Sequence, residues 1–415
     1  MKKFLLTLAL MLSTWSSTVF ASVETYVGTG EYTMSEYETQ NVAQQRAKAH
    51  AERNAQEQAG IFIRSRSKME NFKLTEDEIT TMTAGIVKIL DVDIQPVIVD
   101  KSTFKFIATV TVTIDTNEIN HWLEREAQER LNLIELNKEL RRKNEEQERE
   151  IARLKKMIEG ASTDQQKLEL ERKFNQADNE FLAIEKLREG NRLKDHNAAL
   201  AAYTEAVELN PKLAMAYNNR GYTYMELGRY ELAMSDLNKA LELEPKLAIA
   251  YNNRGRVFSR WNQYEHAIAD YNKALELNPN YATAYNNRGY TYDDLKEYDR
   301  AVSDYTRAIE LNPTFAMAYN NRGFTLMKMK EYERAISDFD RAIELNPKFD
   351  WAYNNRGTTY LLMADLGRAL ADFNKAIECN PNYVKAYNNR GMVYKVLGDA
   401  ARAQADFDKA KSLGG

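Results

Sequence analysis

Cysteine is nearly absent. Cys379 stands alone in 415 residues, so neither an intrachain disulfide nor a cysteine-rich zinc site can form. The four histidines, His50, His121, His196 and His266, lie at least 70 residues apart, which leaves no local metal-ligand motif. A basic excess is also missing: 57 Lys and Arg face 61 Asp and Glu, a net charge of -4. Nucleic-acid binders need positive charge to neutralise phosphates, so that class is disfavoured. No HExxH zinc site, GxSxG nucleophile elbow or phosphate-binding P-loop occurs. Gly28-Thr29-Gly30 lacks the third glycine of a dinucleotide loop and reads as close strand packing. These absences point to a binding protein with no catalytic residues, metal or cofactor. Proline is scarce too, but its placement is informative. Of seven prolines, six (Pro211, Pro245, Pro279, Pro313, Pro347 and Pro381) recur every 34 residues. Such a period marks a repeat array.

The string AYNNRG opens at Ala216, Ala250, Ala284, Ala318, Ala352 and Ala386. Counting Ala214 as position 1, six units begin at residues 214, 248, 282, 316, 350 and 384. Position 4 is always Tyr, position 8 Gly, and positions 20 and 27 Ala. Position 24 is Leu237, then Tyr271, Tyr305, Phe339, Phe373 and Phe407. Positions 4, 8 and 11 share one face of a first helix, and positions 20, 24, 27 and 28 one face of a second. Small residues let the two backbones approach, large rings fill the space beside them, and proline at position 32 ends the second helix. Helices this short do not persist alone, so neighbouring units must stack. Position 7 is Arg and position 23 Asp in every unit, both eight residues from the hairpin centre at position 15. That symmetry predicts pairs such as Arg288–Asp304.

This pattern resembles the tetratricopeptide repeat family, which implies an α-solenoid of helix hairpins over residues 214–415. A degenerate unit over 190–213 precedes it, with Gly190, Ala199, Tyr203, Ala206 and Pro211 in matching roles and a shortened first helix. The family usually carries an apolar residue at position 7, where this chain has Arg. The resemblance further implies a concave groove lined by positions 2, 5, 9, 12 and 13 of the first helices. Position 5 is Asn218, Asn252, Asn286, Asn320, Asn354 and Asn388, a carboxamide ladder suited to an extended peptide backbone. Tyr222, Tyr290 and Phe324 at position 9 offer ring anchors. Arg256 with Arg260 forms a basic spot for a carboxylate, Asp293 with Asp294 an acidic one, and the C-terminal half is apolar. Drift on a solvated face after duplication is the bland alternative.

Residues 22–116 read as a small α+β domain of order β-α-β-(α)-β-β. Residues 104–114 alternate with period two; Ile86, Leu90, Val92, Ile94 and Ile98 suggest a strand made an edge or bulge by Pro96. Tyr26 to Tyr32 and Ile61 to Ile63 suggest two more. A helix over 38–58 carries alanine every fourth residue, a narrow stripe that lets it sit close on a sheet. The domain faintly resembles N-terminal domains of secreted bacterial envelope and flagellar-assembly proteins.

Residues 117–189 form a helical rod. Leu133, Asn137, Leu140, Asn144, Gln147, Ile151, Leu154 and Ile158 are spaced 4-3-4-3-4-3-4, a heptad seam over 130–159 with Asn at two a positions. Either the rod self-associates into a homo-oligomer, or it is a lone charged helix linking two domains. His121 beside Trp122 marks the domain-to-rod junction.

Residues 1–21 read as a cleavable signal peptide: Lys2 and Lys3, an apolar Phe4 to Leu12, then Val19 and Ala21 at a cleavage site. The apolar run is too short for a bilayer of ~30 Å, and the mature chain has no transmembrane segment. The combined expectation is an exported, periplasmic or cell-envelope scaffold that binds a peptide or protein partner. A periplasmic coordinator of envelope constriction or assembly, of the coiled-coil-plus-repeat type, is the rival. An enzyme with its site in residues 22–116 is a third reading.

Overall fold

A computed structural model describes residues 23–34, 40–69, 79, 82–83, 87–99, 104–115 and 127–414. The expected signal peptide, Ile86, His121 and Trp122 lie outside the described residues. The chain divides into two compact units, residues 1–125 with 133–138, and residues 126–132 with 139–415.

The first unit is a helix on a three-stranded antiparallel sheet. Strand β1 (Val23–Thr33), helix α1 (Gln40–Met69), β2 (Lys88–Ile98) and β3 (Phe104–Asp115) follow in sequence, and the sheet order is β1-β3-β2. Pro96 sits on edge strand β2, where its missing N–H disturbs least. Ala43, Ala47, Ala51, Ala55, Ala59 and Ile63 bury one continuous stripe of α1 against Phe106, Ala108, Val110, Val112 and Ile114 of β3. The strand expected from Ile61 to Ile63 is therefore helix. Ile63 continues the four-residue stripe inward and Ile61 points outward, so period four prevails over two alternating isoleucines. On β1, Gly28 and Gly30 let α1 approach to backbone contact. α1 also closes the edge of β1. Asn54 Nδ2 donates to Thr29 O at 2.6 Å and Gln58 Nε2 to Val27 O at 3.1 Å, while His50 Nδ1 lies 3.2 Å from Glu31 O. An exposed strand edge would otherwise invite pairing.

In α2 (Ala127–Glu159), the part from residue 139 onward belongs to the second unit and turns at 160–163 into α3 (Asp164–Arg192), whose N-cap Thr163 accepts from Gln166 N. The two helices run antiparallel. Asn144 Nδ2 donates to Glu185, Gln147 Nε2 donates to Glu180 Oε2 at 2.9 Å, and Lys155 lies over the Phe174 ring. Leu140, Asn144, Ile151, Leu154 and Ile158 are buried, as are Phe174, Ala177, Phe181 and Ile184 of α3. The side chains of Leu133 and Asn137 lie outside the described residues. The heptad seam expected to join copies is thus filled within one chain, because α3 folds back over it. A homo-oligomer is not needed to cover it.

The degenerate repeat pairs α4 (His196–Leu209) with the C-terminal end of α3, so its first helix is not shortened but belongs to the 29-residue α3. Six hairpins follow: Ala214–Glu226 with Tyr230–Leu243, Ala248–Arg260 with Tyr264–Leu277, Ala282–Asp294 with Tyr298–Leu311, Ala316–Lys328 with Tyr332–Leu345, Asp350–Leu362 with Leu366–Cys379, and Val384–Val396 with Ala400–Ser412. Each turn passes through a left-handed residue at position 15, at φ between 57° and 80°. The first helices of successive units lie against one another, while the second helices stand further apart. The first helices therefore line the inner, concave face.

Candidate functional site

The inner face is held in shape by two polar systems that repeat with the units. The first is a guanidinium clamp. In every unit the position-7 Arg donates through Nε and Nη2 to both carboxylate oxygens of its position-23 Asp, at 2.6–2.9 Å. The pairs are Arg220–Asp236, Arg254–Asp270, Arg288–Asp304, Arg322–Asp338, Arg356–Asp372 and Arg390–Asp406, all within a unit. This bears out the pairing expected from the hairpin's symmetry. The sequence did not reveal the third arm. Nη1 reaches back to position 25 of the preceding second helix, at Thr204, Asn238, Asn272, Thr306, Asp340 and Asn374. Each guanidinium also lies 5.5–5.7 Å from the position-4 Tyr ring of its own helix. The aspartate hydrogen bonds raise the pKa of Arg220, Arg254, Arg322, Arg356 and Arg390 further, so these charges are permanent. One side chain thus fixes both the hairpin and its junction with the unit before it.

The second system is an amide spine, and it changes the reading of the Asn ladder. Asn253, Asn287, Asn321, Asn355 and Asn389 at position 6 donate through Nδ2 to Oδ1 of Asn218, Asn252, Asn286, Asn320 and Asn354 in the preceding unit, at 2.9–3.1 Å. Each of those position-5 residues donates in turn to its own position-6 neighbour. Asn219 extends the spine to Asn191 at the end of α3, at 2.8 Å. Asn218, Asn252, Asn286, Asn320 and Asn354 are buried, so they are packing residues rather than peptide ligands. Among these position-5 residues Asn388, in the sixth unit, is half-buried. The signal was available: position 6 is Asn in all six units, and a constant pair of adjacent amides is what a unit-to-unit ladder requires.

The variable positions give the inner face its chemistry. Tyr222 and Tyr290 are 39% and 49% exposed. Phe324 is partly covered by Lys328, whose Nζ sits 4.5 Å from the ring centre. The basic spot is not free. Arg256 Nη2 donates to Glu226 Oε1 at 3.0 Å and stacks over Tyr222, leaving Arg260 exposed without that partner. The acidic spot is likewise half engaged. Asp293 is buried and accepts from Thr325 Oγ1 at 2.7 Å and from Lys328 Nζ. Asp294 stays exposed, its carboxyl pKa raised by partial burial and by Asp293. Neighbouring units thus satisfy Arg256 and Asp293, which the sequence offers as free charges. Among the described residues no group of three or more His, Cys, Asp or Glu could hold a metal, and no helix is long and apolar enough to cross a membrane. Burial raises the Cys379 thiol pKa, which suits a packed side chain.

A stack of helix hairpins with small residues set against rings and a polar spine between units defines an α-solenoid repeat protein. The tetratricopeptide repeat family model matches residues 214–247, 248–281, 282–315, 316–349 and 351–383. Two further models of the same repeat match 373–405 and 191–228, the latter covering the degenerate unit. The chain belongs to the tetratricopeptide repeat family, and a protein-interaction role follows from that membership. Similar solved structures include YrrB, described as a TPR protein with an unusual peptide-binding site, at 28% identity over 45% of this chain and 96% of that one, TM-score 0.36. A tetratricopeptide repeat protein from Parabacteroides merdae shares 25% identity over 56% of this chain and 92% of that one, TM-score 0.47. The APC/C hetero-tetramer Cut9–Hcn1 shares 17% over 60% of this chain and 48% of that one, TM-score 0.50. A comparison with curated proteins gives no match.

Proposed function

We propose that the chain is an exported, non-enzymatic scaffold that docks a peptide or a segment of a partner protein along the concave face of its repeats. One observation carries this reading. The residues that hold the array together are constant and internally satisfied, whereas the inner face leaves large side chains from Tyr222 to Val396 uncovered. Rings held on rigid helices bury much area at small entropic cost, and their contribution to affinity exceeds that of rim charges. The export part of the proposal rests on Lys2, Lys3, Phe4 to Leu12, Val19 and Ala21. The intact mass of protein from the cell envelope tests it, with Ser22 expected as the first residue.

For docking, a photo-crosslinking amino acid placed at Tyr290 in the full chain is expected to trap a partner protein in cells. The same group at Leu232, exposed on a second helix, is expected to trap none. Crosslinks from Leu232 alone would move recognition to the convex face. The rival reading as a coordinator of envelope constriction rests on a signal peptide, a coiled coil and a terminal repeat array together. The seam of that coiled coil is occupied by α3, and no observation favours the rival.

A further inference from the structure

Resting on the groove reading above, we propose that the last two repeats form a docking strip for an apolar, acid-bearing segment of a partner protein. The inference comes from one inter-unit contact followed along the array. Position 13 of the first unit meets position 9 of the second, where Glu226 pairs with Arg256 at 3.0 Å. Between the fifth and sixth units the same place holds Leu362 and Met392, which are 55% and 52% exposed. Val396, one helical turn beyond Met392, is 67% exposed, and Trp351 at position 2 of the fifth unit is also exposed. An ion pair that covers itself at one end of the face has become a set of uncovered apolar groups at the other. Exposed apolar side chains gathered on one end of the face mark an interaction surface.

Charge selects the occupant. At positions 9, 12 and 13 the first three units carry Glu226, Asp293 and Asp294, and Arg256, Arg260 and Lys328 stand near them in sequence register. At positions 2, 9, 12 and 13 of the last two units there is no carboxylate, but there are two exposed lysines, Lys385 and Lys395. Neither side chain makes a hydrogen bond or ion pair among the described residues. A second copy of the chain would bring the same uncompensated positive charge to the contact. A partner segment whose leucine-like side chains alternate with Asp or Glu satisfies both features, its apolar groups on Leu362, Met392 and Val396 and its carboxylates toward the lysines.

The test uses the full chain and three fluorescent ten-residue peptides: alternating Leu and Glu, alternating Leu and Lys, and alternating Ser and Glu. The Leu–Glu peptide is expected to bind at least tenfold more tightly than either control. Met392→Glu is expected to weaken it at least tenfold, and Lys395→Glu to shift preference toward the Leu–Lys peptide. Both residues are exposed, and circular dichroism checks that the variants keep their helices. Equal binding of the three peptides, or none, overturns the proposal. Loss of binding on Tyr222→Ala and Tyr290→Ala with Met392→Glu inert also overturns it, while leaving the groove reading intact. Indifference to every inner-face variant removes both. A wild-type dimer that Met392→Glu turns into a monomer would make the strip a self-interface and reject the partner.

Discussion

The N-terminal module and the repeat array both bring backbones close through small residues, but they set those residues against different things. In the module, strand glycines face helix backbone: a Cβ added at Gly28 would lie 2.2 Å from Ala51 O and 2.4 Å from Ala55 N. In the array, the helix glycines from Gly255 onward face rings: a Cβ at Gly255 would lie 2.7 Å from Tyr271 Cε1. A backbone held in a helix cannot move without breaking its own hydrogen bonds, whereas a ring can swing on its side chain. Equal closeness therefore implies unequal tolerance. Gly28→Val is expected to cost more than about 5 kcal/mol and to unfold the module, because the helix must leave the sheet. Hydrogen exchange should show protection lost in 23–33, 40–69 and 104–115 and kept in the repeats. Gly255→Ala should cost only about 1–3 kcal/mol. Comparable loss in the two variants would mean that the rings are as immovable as the backbone.

The two parts differ again in how they use charge, and the array's clamp is the next test. Asp304 is buried and binds Arg288 through both carboxylate oxygens, so Asp304→Ala leaves a largely buried guanidinium without its partner. The expected cost is about 3–5 kcal/mol. The paired change Arg288→Met with Asp304→Leu should recover most of it, because it removes the stranded charge as well. Chemical denaturation of the full chain, followed at the repeats, reads both. If Asp304→Ala costs less than about 1 kcal/mol, the clamp behaves as a surface ion pair.

How much of this could be read beforehand follows the same division. The repeats were legible because a fixed residue recurred at a fixed interval, and two constant positions, Arg and Asp, sat symmetrically about a turn. The spine was missed because Asn at position 5 was treated as a face residue, and a hydrogen bond to the next unit has no signature beyond constancy. In the module, two isoleucines two apart suggested a strand at Ile61 to Ile63, but the alanine stripe of α1 ran one turn further than composition showed. The heptad seam of α2 was real, yet a seam states only that something apolar covers it. That α3 of the same chain does so depended on the turn at 160–163, which brings the 3-4-3 spacing of Phe174, Ala177, Phe181 and Ile184 back against the seam of α2.

Rod and array should also fail at opposite ends of the pH scale. Burial favours the protonated form of Glu185 in the rod, but Arg188, Arg192 and the hydrogen bonds from Arg188 and Asn144 outweigh it and lower the pKa. Stability from this group is complete above its ordinary value of about 4.5 and is lost as pH falls through the lowered one. In the array, burial pushes the Tyr203 and Tyr383 phenols up to about 12, and Tyr271, Tyr281 and Tyr305 are also raised. Their contribution holds below the ordinary value of 10.0 and disappears as pH rises through the raised values. Acid should expose residues 139–192 to pepsin first, and Glu185→Gln should flatten that dependence. Alkali should instead melt the repeats cooperatively with tyrosinate absorbance. Ionisation of all tyrosines near pH 10 with helicity intact would contradict the burial of these rings.

The smallest effect compares one repeat with another. All six hairpins turn through a left-handed residue at position 15, but only Gly228 and Gly398 can adopt that conformation without crowding at Cβ. Asn262, Lys296, Lys330 and Ala364 hold φ between 57° and 63° in the other four. For an ordinary L-residue this conformation costs about 1–2 kcal/mol, and Asn escapes part of it through local hydrogen bonding. Glycine relieves the strain but adds freedom to the unfolded chain, worth about 0.4–1 kcal/mol in the opposite direction. The difference leaves Ala364→Gly stabilising by about 0.5–1 kcal/mol, Lys296→Gly and Lys330→Gly similarly, and Asn262→Gly close to neutral. The array supplies its own control, since Gly228→Ala should destabilise by about what Ala364→Gly gains. Local stability from hydrogen exchange in the second helix of each hairpin resolves changes of this size. Equal responses at Ala364 and Asn262 would show that backbone strain does not set the cost of the turn, and that the contacts of the flanking helices do.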